Sequence, residues 1–171
     1  MATSNLIQKL DATAFISNIS GSPGSYTSTT IPDVSNRRTV ETFVAGATVA
    51  VGDWVQFSTA VSGAARVLTV LPASAATATG NPLVCGVCIG SAETAGTLTS
   101  GSKVFVVTSG YCEKAKVDNA VAAAGVALVV DNTGAGIANA IVAADLAPAC
   151  GVSLAAAAGG LADVWVYSQF A

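Results

Sequence analysis

From residue 39 onward, the sequence is a series of short apolar and β-branched runs separated by turn residues. Residues 53–57 alternate apolar and polar side chains with a period of two, which is the pattern of a strand with one buried face. Turn signals such as Gly159-Gly160 separate the runs. Many short strands at this spacing are typical of a compact β-sandwich or barrel, so we predict an all-β fold. The predicted strands are residues 39–44, 53–57, 65–71, 83–89, 103–107, 125–130, 138–142, 149–154 and 163–167.

Residues 1–38 differ in composition from the rest of the chain. They are rich in Ser, Thr and Asn, and Pro23 and Pro32 lie in segments that interrupt regular structure. Their apolar residues are too few to form an independent core, whether the segment is helical or extended. We therefore interpret residues 1–38 as an extended N-terminal arm and residues 39–171 as one β-rich domain.

The apolar and basic residues of this arm are candidate contacts with a partner, because aromatic and Arg side chains dominate interface hot spots. Arg37-Arg38 is the only basic doublet in the chain. It is either a solvated surface feature or an anchor whose guanidinium groups pair with carboxylates of a partner. The candidate contact residues are Leu6, Ile7, Leu10, Phe15, Ile16, Tyr26, Ile31, Arg37 and Arg38.

Two parts of the β-rich domain share a sequence pattern. The triplet Cys-Gly-Val at residues 85–87 recurs at residues 150–152, and each copy is followed by an Ala-Gly turn and then by a β-prone run. Residues 50–55, which precede the first copy, also resemble residues 123–128. This pattern predicts an internal duplication of a hairpin-like unit, although sequence rich in Ala, Gly and Val also produces such matches by chance.

Composition excludes several classes of function. The chain is 52% hydrophobic but only 6% aromatic and 10% charged, and it contains no histidine. Catalysis by histidine and histidine metal ligands are therefore excluded, and the acidic residues show no spacing typical of a catalytic carboxylate pair. A net charge of −3 gives no basic surface for nucleic acid. We expect no cofactor, no nucleic-acid partner and a surface that is largely covered in an assembly.

The four cysteines are Cys85, Cys88, Cys112 and Cys150, and the first two form a CxxC motif. A four-cysteine zinc site normally contains two such pairs, and here the other two cysteines stand alone. The motif lies within a predicted strand, which would place Cys85 and Cys88 on opposite faces. We predict buried, reduced core thiols, with a small redox protein using this motif as the alternative.

The apolar stretches are too short for a membrane-spanning helix. The longest, residues 119–130, falls well below the roughly 20 residues that a bilayer requires. Residues 1–10 contain no apolar segment of the signal-peptide type. We therefore expect synthesis in the cytoplasm and no contact with a membrane.

Several motifs resemble those of decoration, or cement, proteins of tailed-phage heads. They are Gly-Asp-x-Val at residues 52–55, Cys-Gly-Val-Cys-Ile-Gly at residues 85–90, the Ala-Gly turn that follows, and the Val-rich run at residues 103–107. The resemblance covers residues 46–168 and leaves the arm unmatched. It implies a β-rich, non-catalytic protein that oligomerises, often as a trimer, on the capsid exterior and stabilises the shell.

The sequence thus favours a structural virion protein on the capsid surface, which contacts the major capsid protein and neighbouring copies of itself. The arm would connect the domain to these partners. A head-fibre, tail or adhesin-type module that recognises a host surface is the alternative, and exposed aromatic clusters on loops would favour it.

Overall fold

The computed structural model describes residues 38–74, 80–91, 97–130, 134–143, 145 and 147–168. Within these residues, no helix has the length and apolar character needed to cross a membrane. The elements are β1 (Arg38–Ala45), β2 (Val49–Ala50), β3 (Trp54–Phe57), α1 (Ala65–Leu68), β4 (Thr69–Pro72), β5 (Val84–Gly90), β6 (Thr97–Leu98), β7 (Lys103–Lys116), β8 (Ala127–Val129), β9 (Asn139–Ala140), β10 (Gly151–Ser153) and β11 (Leu161–Val166).

Five strands form a closed ring. β1 pairs with β4 in parallel and with β7 in antiparallel orientation, while β3 joins β4 to β5, which also pairs with β7. The order β1–β4–β3–β5–β7–β1 is therefore a small barrel, in which every strand has two neighbours. All five strands contribute buried side chains to its interior, among them Phe43, Val55, Val70, Cys85 and Val106. The two-stranded sheet β2–β6 adds to the same core.

Strand β7 is longer than its barrel partners and continues into a second layer. Its first half pairs with β1 and β5, and residues 110–116 pair with β11. β10, β8 and β9 follow β11 in that order. A second core fills the space between this layer and the outer side of the barrel, where Trp54 and Val107 pack in one cluster with Leu128 and Val164.

The predicted all-β fold is confirmed, and the barrel is the form that it takes. Each predicted run contains a strand, but the prediction for residues 65–71 is wrong in its first half, which is helix α1. The amide of Arg66 donates to the carbonyl of Gly63 (3.2 Å), and good helix formers follow this glycine. Val67 and Leu68 are exposed, so no packing contact selects a strand before Thr69.

The prediction that Cys85 and Cys88 lie on opposite faces of their strand is also wrong. Both side chains pack in the core of the barrel. Val55 pairs with Gly86 and Gln56 pairs with Val84, so Cys85 is an extra residue that no residue of β3 opposes. Such a β-bulge shifts the alternation of side chains by one position, which brings both thiols to the same face.

Gly86 is required at this bulge because β7 passes very close to it. A Cβ atom at this position would lie 2.1 Å from the carbonyl oxygen of Val107 and 2.8 Å from a methyl group of Val106. Gly151 has the same constraint in the second layer, where a Cβ atom would lie 2.7 Å from the carbonyl oxygen of Trp165. The glycine of each Cys-Gly-Val triplet therefore allows a neighbouring strand to approach closely.

The predicted internal duplication is present in the hydrogen bonds of the two units. Cys85 Sγ donates to the carbonyl of Val55 (3.4 Å), and Cys150 Sγ donates to the carbonyl of Leu128 (3.3 Å). These four residues are equivalent in the sequence match.

Backbone hydrogen bonds repeat in the same way. The amide of Gly52 donates to the carbonyl of Cys88 (2.8 Å), and the amide of Gly125 donates to the carbonyl of Ser153 (2.7 Å). The strand order β3–β5–β7 thus corresponds to β8–β10–β11. The third strands differ in register, because Val87 pairs with Val107 whereas the equivalent Val152 pairs with Trp165.

The bulge gives a direct test of the barrel. We expect Gly86→Ala to lower the free energy of unfolding by about 3 kcal/mol or more, because its methyl group would collide with backbone. Gly90→Ala in the same strand is the matched control: its φ of +133° is also unfavourable for alanine, but nothing lies within 4 Å of the added atom. Its cost should be about 1–2 kcal/mol. Equal losses in urea unfolding experiments would contradict the structural role of Gly86.

Candidate binding surface

Eight of the nine predicted arm contacts lie outside the residues that the structure describes: Leu6, Ile7, Leu10, Phe15, Ile16, Tyr26, Ile31 and Arg37. The ninth, Arg38, is the first residue of β1 and pairs with Gly110 of β7. Arg38 is half-buried, and its buried Nε has no hydrogen-bond partner. Arg38, which we predicted to belong to the arm, therefore lies in the sheet of the β-rich domain.

Asp53, the most buried of the carboxylates that the structure describes, has a structural role at the start of β3. Its Oδ2 accepts a hydrogen bond from the amide of Ala50 (2.7 Å), and its Oδ1 lies 2.6 Å from Nζ of Lys116. The indole Nε1 of the adjacent, fully buried Trp54 donates to the carbonyl of Lys116 (3.0 Å). These contacts connect the β2–β3 turn to the end of β7.

Other acidic residues also bind nearby backbone or side-chain groups. Asp118 accepts from the amide of Ala120 (2.7 Å), two residues later, as in an Asx turn. Asp145 accepts from the amide of Val142 (2.6 Å), three residues earlier. Over the described ranges, no cluster of three Cys, Asp or Glu residues is suited to a metal ion. Each of these carboxylates thus stabilises a local turn of the backbone.

All four cysteines are buried and free, as the sequence predicts. Burial raises the pKa of the Cys85, Cys112 and Cys150 thiols to about 12, and it also raises the pKa of Cys88. A redox or nucleophilic cysteine requires the opposite shift, because the thiolate is the reactive form. The CxxC motif therefore has the properties of core packing residues.

The domain exposes nine large apolar side chains within its described part, which is the strongest sign of a binding function. They are Val44, Val51, Val67, Leu68, Ile141, Val142, Leu154, Trp165 and Tyr167. Four of them, which include Trp165, lie in strands or in the helix, and the other five follow a strand by one or two residues. Exposed apolar clusters on soluble proteins commonly mark interaction sites.

The largest of these side chains lie together on the outer side of the second layer. Trp165 is 38% exposed and pairs across strands with Val152 on one side and with Tyr111 on the other. Paired residues point to the same face of a sheet, as do Trp165 and Tyr167, which are two positions apart. Leu154 is also exposed and lies next to Asp163 through its backbone amide (2.7 Å). We call Tyr111, Val152, Leu154, Trp165 and Tyr167 the Trp165 face.

A hydrogen bond between two side chains lies at the edge of the Trp165 face. The hydroxyl of Tyr111 donates to Oδ2 of Asp163 (3.0 Å). Desolvation and this hydrogen bond to a carboxylate raise the pKa of Tyr111 to about 12. The phenol group of Tyr111 is therefore uncharged at neutral pH, and its hydrogen bond to Asp163 holds the ring at the edge of the exposed apolar area.

The Trp165 face was not among the predicted contact residues, although the sequence contains a pattern that indicates the exposure of Trp165. Val164 and Val166 are buried on either side of Trp165, so the period-two alternation of β11 indicates that Trp165 points outward. Trp54 is fully buried, but its neighbours Asp53 and Val55 are buried too, so alternation does not account for it. The alternation of β11 predicts that Trp165 is exposed. It does not predict which residues surround Trp165, because those come from β7 and β10.

Asp53 provides a second test of stability. We expect Asp53→Ala to lower the free energy of unfolding by about 2–3 kcal/mol, because it leaves a backbone amide and the Lys116 ammonium without their acceptor. Asp118→Ala removes a comparable hydrogen bond at an exposed turn and should cost about 1 kcal/mol or less. Chemical denaturation of both variants measures the difference, and a cost for Asp53→Ala no greater than for the control would contradict a structural role.

The thiols provide a third test. In the native protein at pH 8, we expect all four cysteines to react with a disulfide reagent at least about 100-fold more slowly than in denaturant, since they are buried and protonated. Folding raises their pKa, so the unfolded chain releases its thiol protons first. The contribution of the protonated thiols to the free energy of unfolding should therefore be complete below about pH 8.5 and should be lost as the pH rises towards 12. One rapidly alkylated pair at neutral pH would instead support the redox alternative.

Comparisons with known proteins add no assignment. No protein-family model matches the sequence, and no curated protein matches it significantly.

Proposed function

We propose that this chain is a decoration protein that binds the outside of a phage head and stabilises the capsid lattice without catalysing a reaction. The observation that carries the proposal is the Trp165 face, an exposed apolar area on a domain whose thiols are buried and whose residues Asp53, Asp118 and Asp145 bind backbone amides. The resemblance of residues 46–168 to decoration proteins supports it.

Electrostatics also supports a protein partner over a nucleic acid. Of the chain's 171 residues, only seven are Lys or Arg, against ten Asp or Glu. Lys116, one of these seven, is paired with Asp53. A domain with this charge and with exposed Val, Leu and Trp side chains gains most by covering apolar area against another protein surface.

The small side chains of the domain suit lattice contacts. Interfaces between closely packed subunits require smooth surfaces and few desolvated charges, since an unpaired charge is costly to bury. Exposed residues at two other places, Val67 and Leu68 in α1 and Ile141 and Val142 after β9, offer further contact area. Several separate apolar areas fit a protein with more than one neighbour: the major capsid protein and further copies of this chain.

The proposal is tested with expanded heads of the phage that encodes the chain, prepared without this protein. We expect the purified protein to co-sediment with them at a saturable ratio and to raise the temperature at which they release DNA. Heads without it should rupture on osmotic shock more readily than heads to which it has been added back. No binding, together with unchanged resistance to heat and shock, would contradict the proposal.

Two variants locate the contact. Leu6→Ser with Leu10→Ser in the arm should weaken head binding at least about tenfold, because each removes an apolar anchor. Val67→Ser with Leu68→Ser removes the proposed second contact area on α1 and should weaken head binding as well. Light scattering of the free protein establishes whether it forms the oligomer that the resemblance implies.

A further inference from the structure

The second layer closes into a barrel in the same way as the first five strands. Val117, directly after β7, forms a parallel bridge with Ala138, directly before β9. This bridge is the counterpart of the parallel pair Ala45 and Val70, through which β1 and β4 close the first barrel. Strands β7, β9, β8, β10 and β11 therefore form a second barrel, in which the end of β7 takes the place of β1.

Strand pairing identifies which residues of the two barrels are equivalent. Val87 pairs with Val107 in the first barrel. Val152, which also ends a Cys-Gly-Val triplet, pairs with Trp165, so Trp165 takes the place of Val107. Val87 and Val107 are fully buried in the core cluster that the first barrel shares with the second. The same place on the second barrel is open, since Trp165 is exposed.

A second pair of equivalent residues shows the same difference. The amide of Ala73 donates to the carbonyl of Trp54 (2.8 Å). In the second barrel, the amide of Ile141 donates to the carbonyl of Ala127 (2.9 Å). Ala73 is fully buried in the shared core cluster, whereas Ile141 is exposed. The second barrel thus exposes the surface that, on the first barrel, is covered by the second.

Two residues of the second barrel hold it against the first. The carbonyl of Lys116 accepts a hydrogen bond from the indole of Trp54 (3.0 Å), and its Nζ lies 2.6 Å from Oδ1 of Asp53. The carbonyl of Gly136 accepts from the amide of Trp54 (3.0 Å), and its amide donates to the carbonyl of Ala73 (2.7 Å). These contacts form an internal interface between the barrels.

The equivalent part of the first barrel is exposed and apolar. Val44 and Lys116 each come one residue before the parallel pair that closes their barrel. Leu68 and Gly136 each come two residues before the other member of that pair. Val44, Leu68 and the adjacent Val67 are exposed, and we call these three residues surface 1.

The charged pair of the internal interface is replaced by an apolar pair at these free surfaces. Val126, which precedes Ala127, takes the place of Asp53. The ion pair of Asp53 with Lys116 therefore corresponds to Val126 with Val44. Had only one member changed, an unpaired charge would be buried on contact, which is costly.

Side-chain size is exchanged in a compensating way. The large Trp54 is hydrogen-bonded to Gly136, which has no side chain. Their equivalents are the small Ala127 and the large Leu68. In both combinations, a large residue on one barrel would meet a small residue on the other, as close packing requires.

We propose that surface 1 of one copy binds surface 2 of a second copy, in the arrangement by which the two barrels of one chain contact each other. Surface 2 consists of Val126, Ala127, Ile141, Val152 and Trp165. Because the two surfaces differ, the contact is heterologous and generates a ring or an open fibre. The inference names the partner of the Trp165 face, and it rests on the proposed function, in which copies of the chain are neighbours.

Two full-length variants each block one surface. Val67→Asp with Leu68→Asp places charges on surface 1, and Ile141→Asp with Trp165→Asp places them on surface 2. Each variant alone should stay monomeric at concentrations about 100-fold above those at which the wild type assembles, because unpaired charges would be buried. Light scattering after size-exclusion chromatography measures the mass. Val51→Asp, at an exposed valine outside both surfaces, is the matched control and should assemble as the wild type does.

Mixing the two variants tests the pairing of the surfaces. An equimolar mixture should form a complex with one copy of each, because one variant keeps surface 2 and the other keeps surface 1. Circular dichroism establishes that both are folded, and serine replaces aspartate at the same positions if one is not.

Three results would overturn the proposal. The first is a wild type that is monomeric at all concentrations. The second is a surface 1 variant that still dimerises while the surface 2 variant does not, since Trp165 would then face Trp165 of the other copy. The third is a mixture of folded variants that forms no complex. None of these measurements requires phage heads, so failure here is distinguishable from failure of the proposed function.

Discussion

Strand β7 is the element on which the rest of the structure depends. Its first half closes the barrel between β1 and β5, and its second half carries the outer layer through β11. Both cores therefore include side chains of β7: Val106 lies inside the barrel, and Val107 faces the second layer. The close approach of β7 to Gly86 makes this double use possible, because a larger residue would separate β5 from β7. One strand thus joins two small cores, and neither core lies between two separate sheets.

The low content of large side chains follows from this architecture. Two cores close to a shared strand leave little volume, and Val and Ala fill most of it. Trp54 is the main exception, and its buried indole uses its single polar group in a hydrogen bond to the carbonyl of Lys116. Large apolar side chains also lie on the exterior, where Leu154, Trp165 and Tyr167 are exposed and contribute to neither core. That excess is the physical basis for proposing an interaction function.

The duplication explains why a CxxC motif, which can mark a redox or metal site, occurs here without the geometry of such a site. A cysteine opens each triplet, and in both units its thiol donates to a carbonyl of a neighbouring strand, that of Val55 or Leu128. The second cysteine of the CxxC motif, Cys88, is replaced by Ser153 in the other unit. Ser153 is fully buried, and its hydroxyl donates to the carbonyl of Ala123 (2.8 Å). The CxxC spacing thus arises from a repeated packing unit in which only one copy has a second thiol.

The sequence by itself determined the all-β class, most strand positions, the burial of the four cysteines and the repeated unit, because alternation and glycine turns are local properties of the chain. Tertiary structure decided the rest. The bulge at Cys85 depends on how β3 pairs with β5, and the helical start of residues 65–71 depends on where pairing to β4 begins. The Trp165 face combines residues from β7, β10 and β11, so its existence depends on strand order. Strand order arises from long-range pairing, which no local pattern of residues encodes.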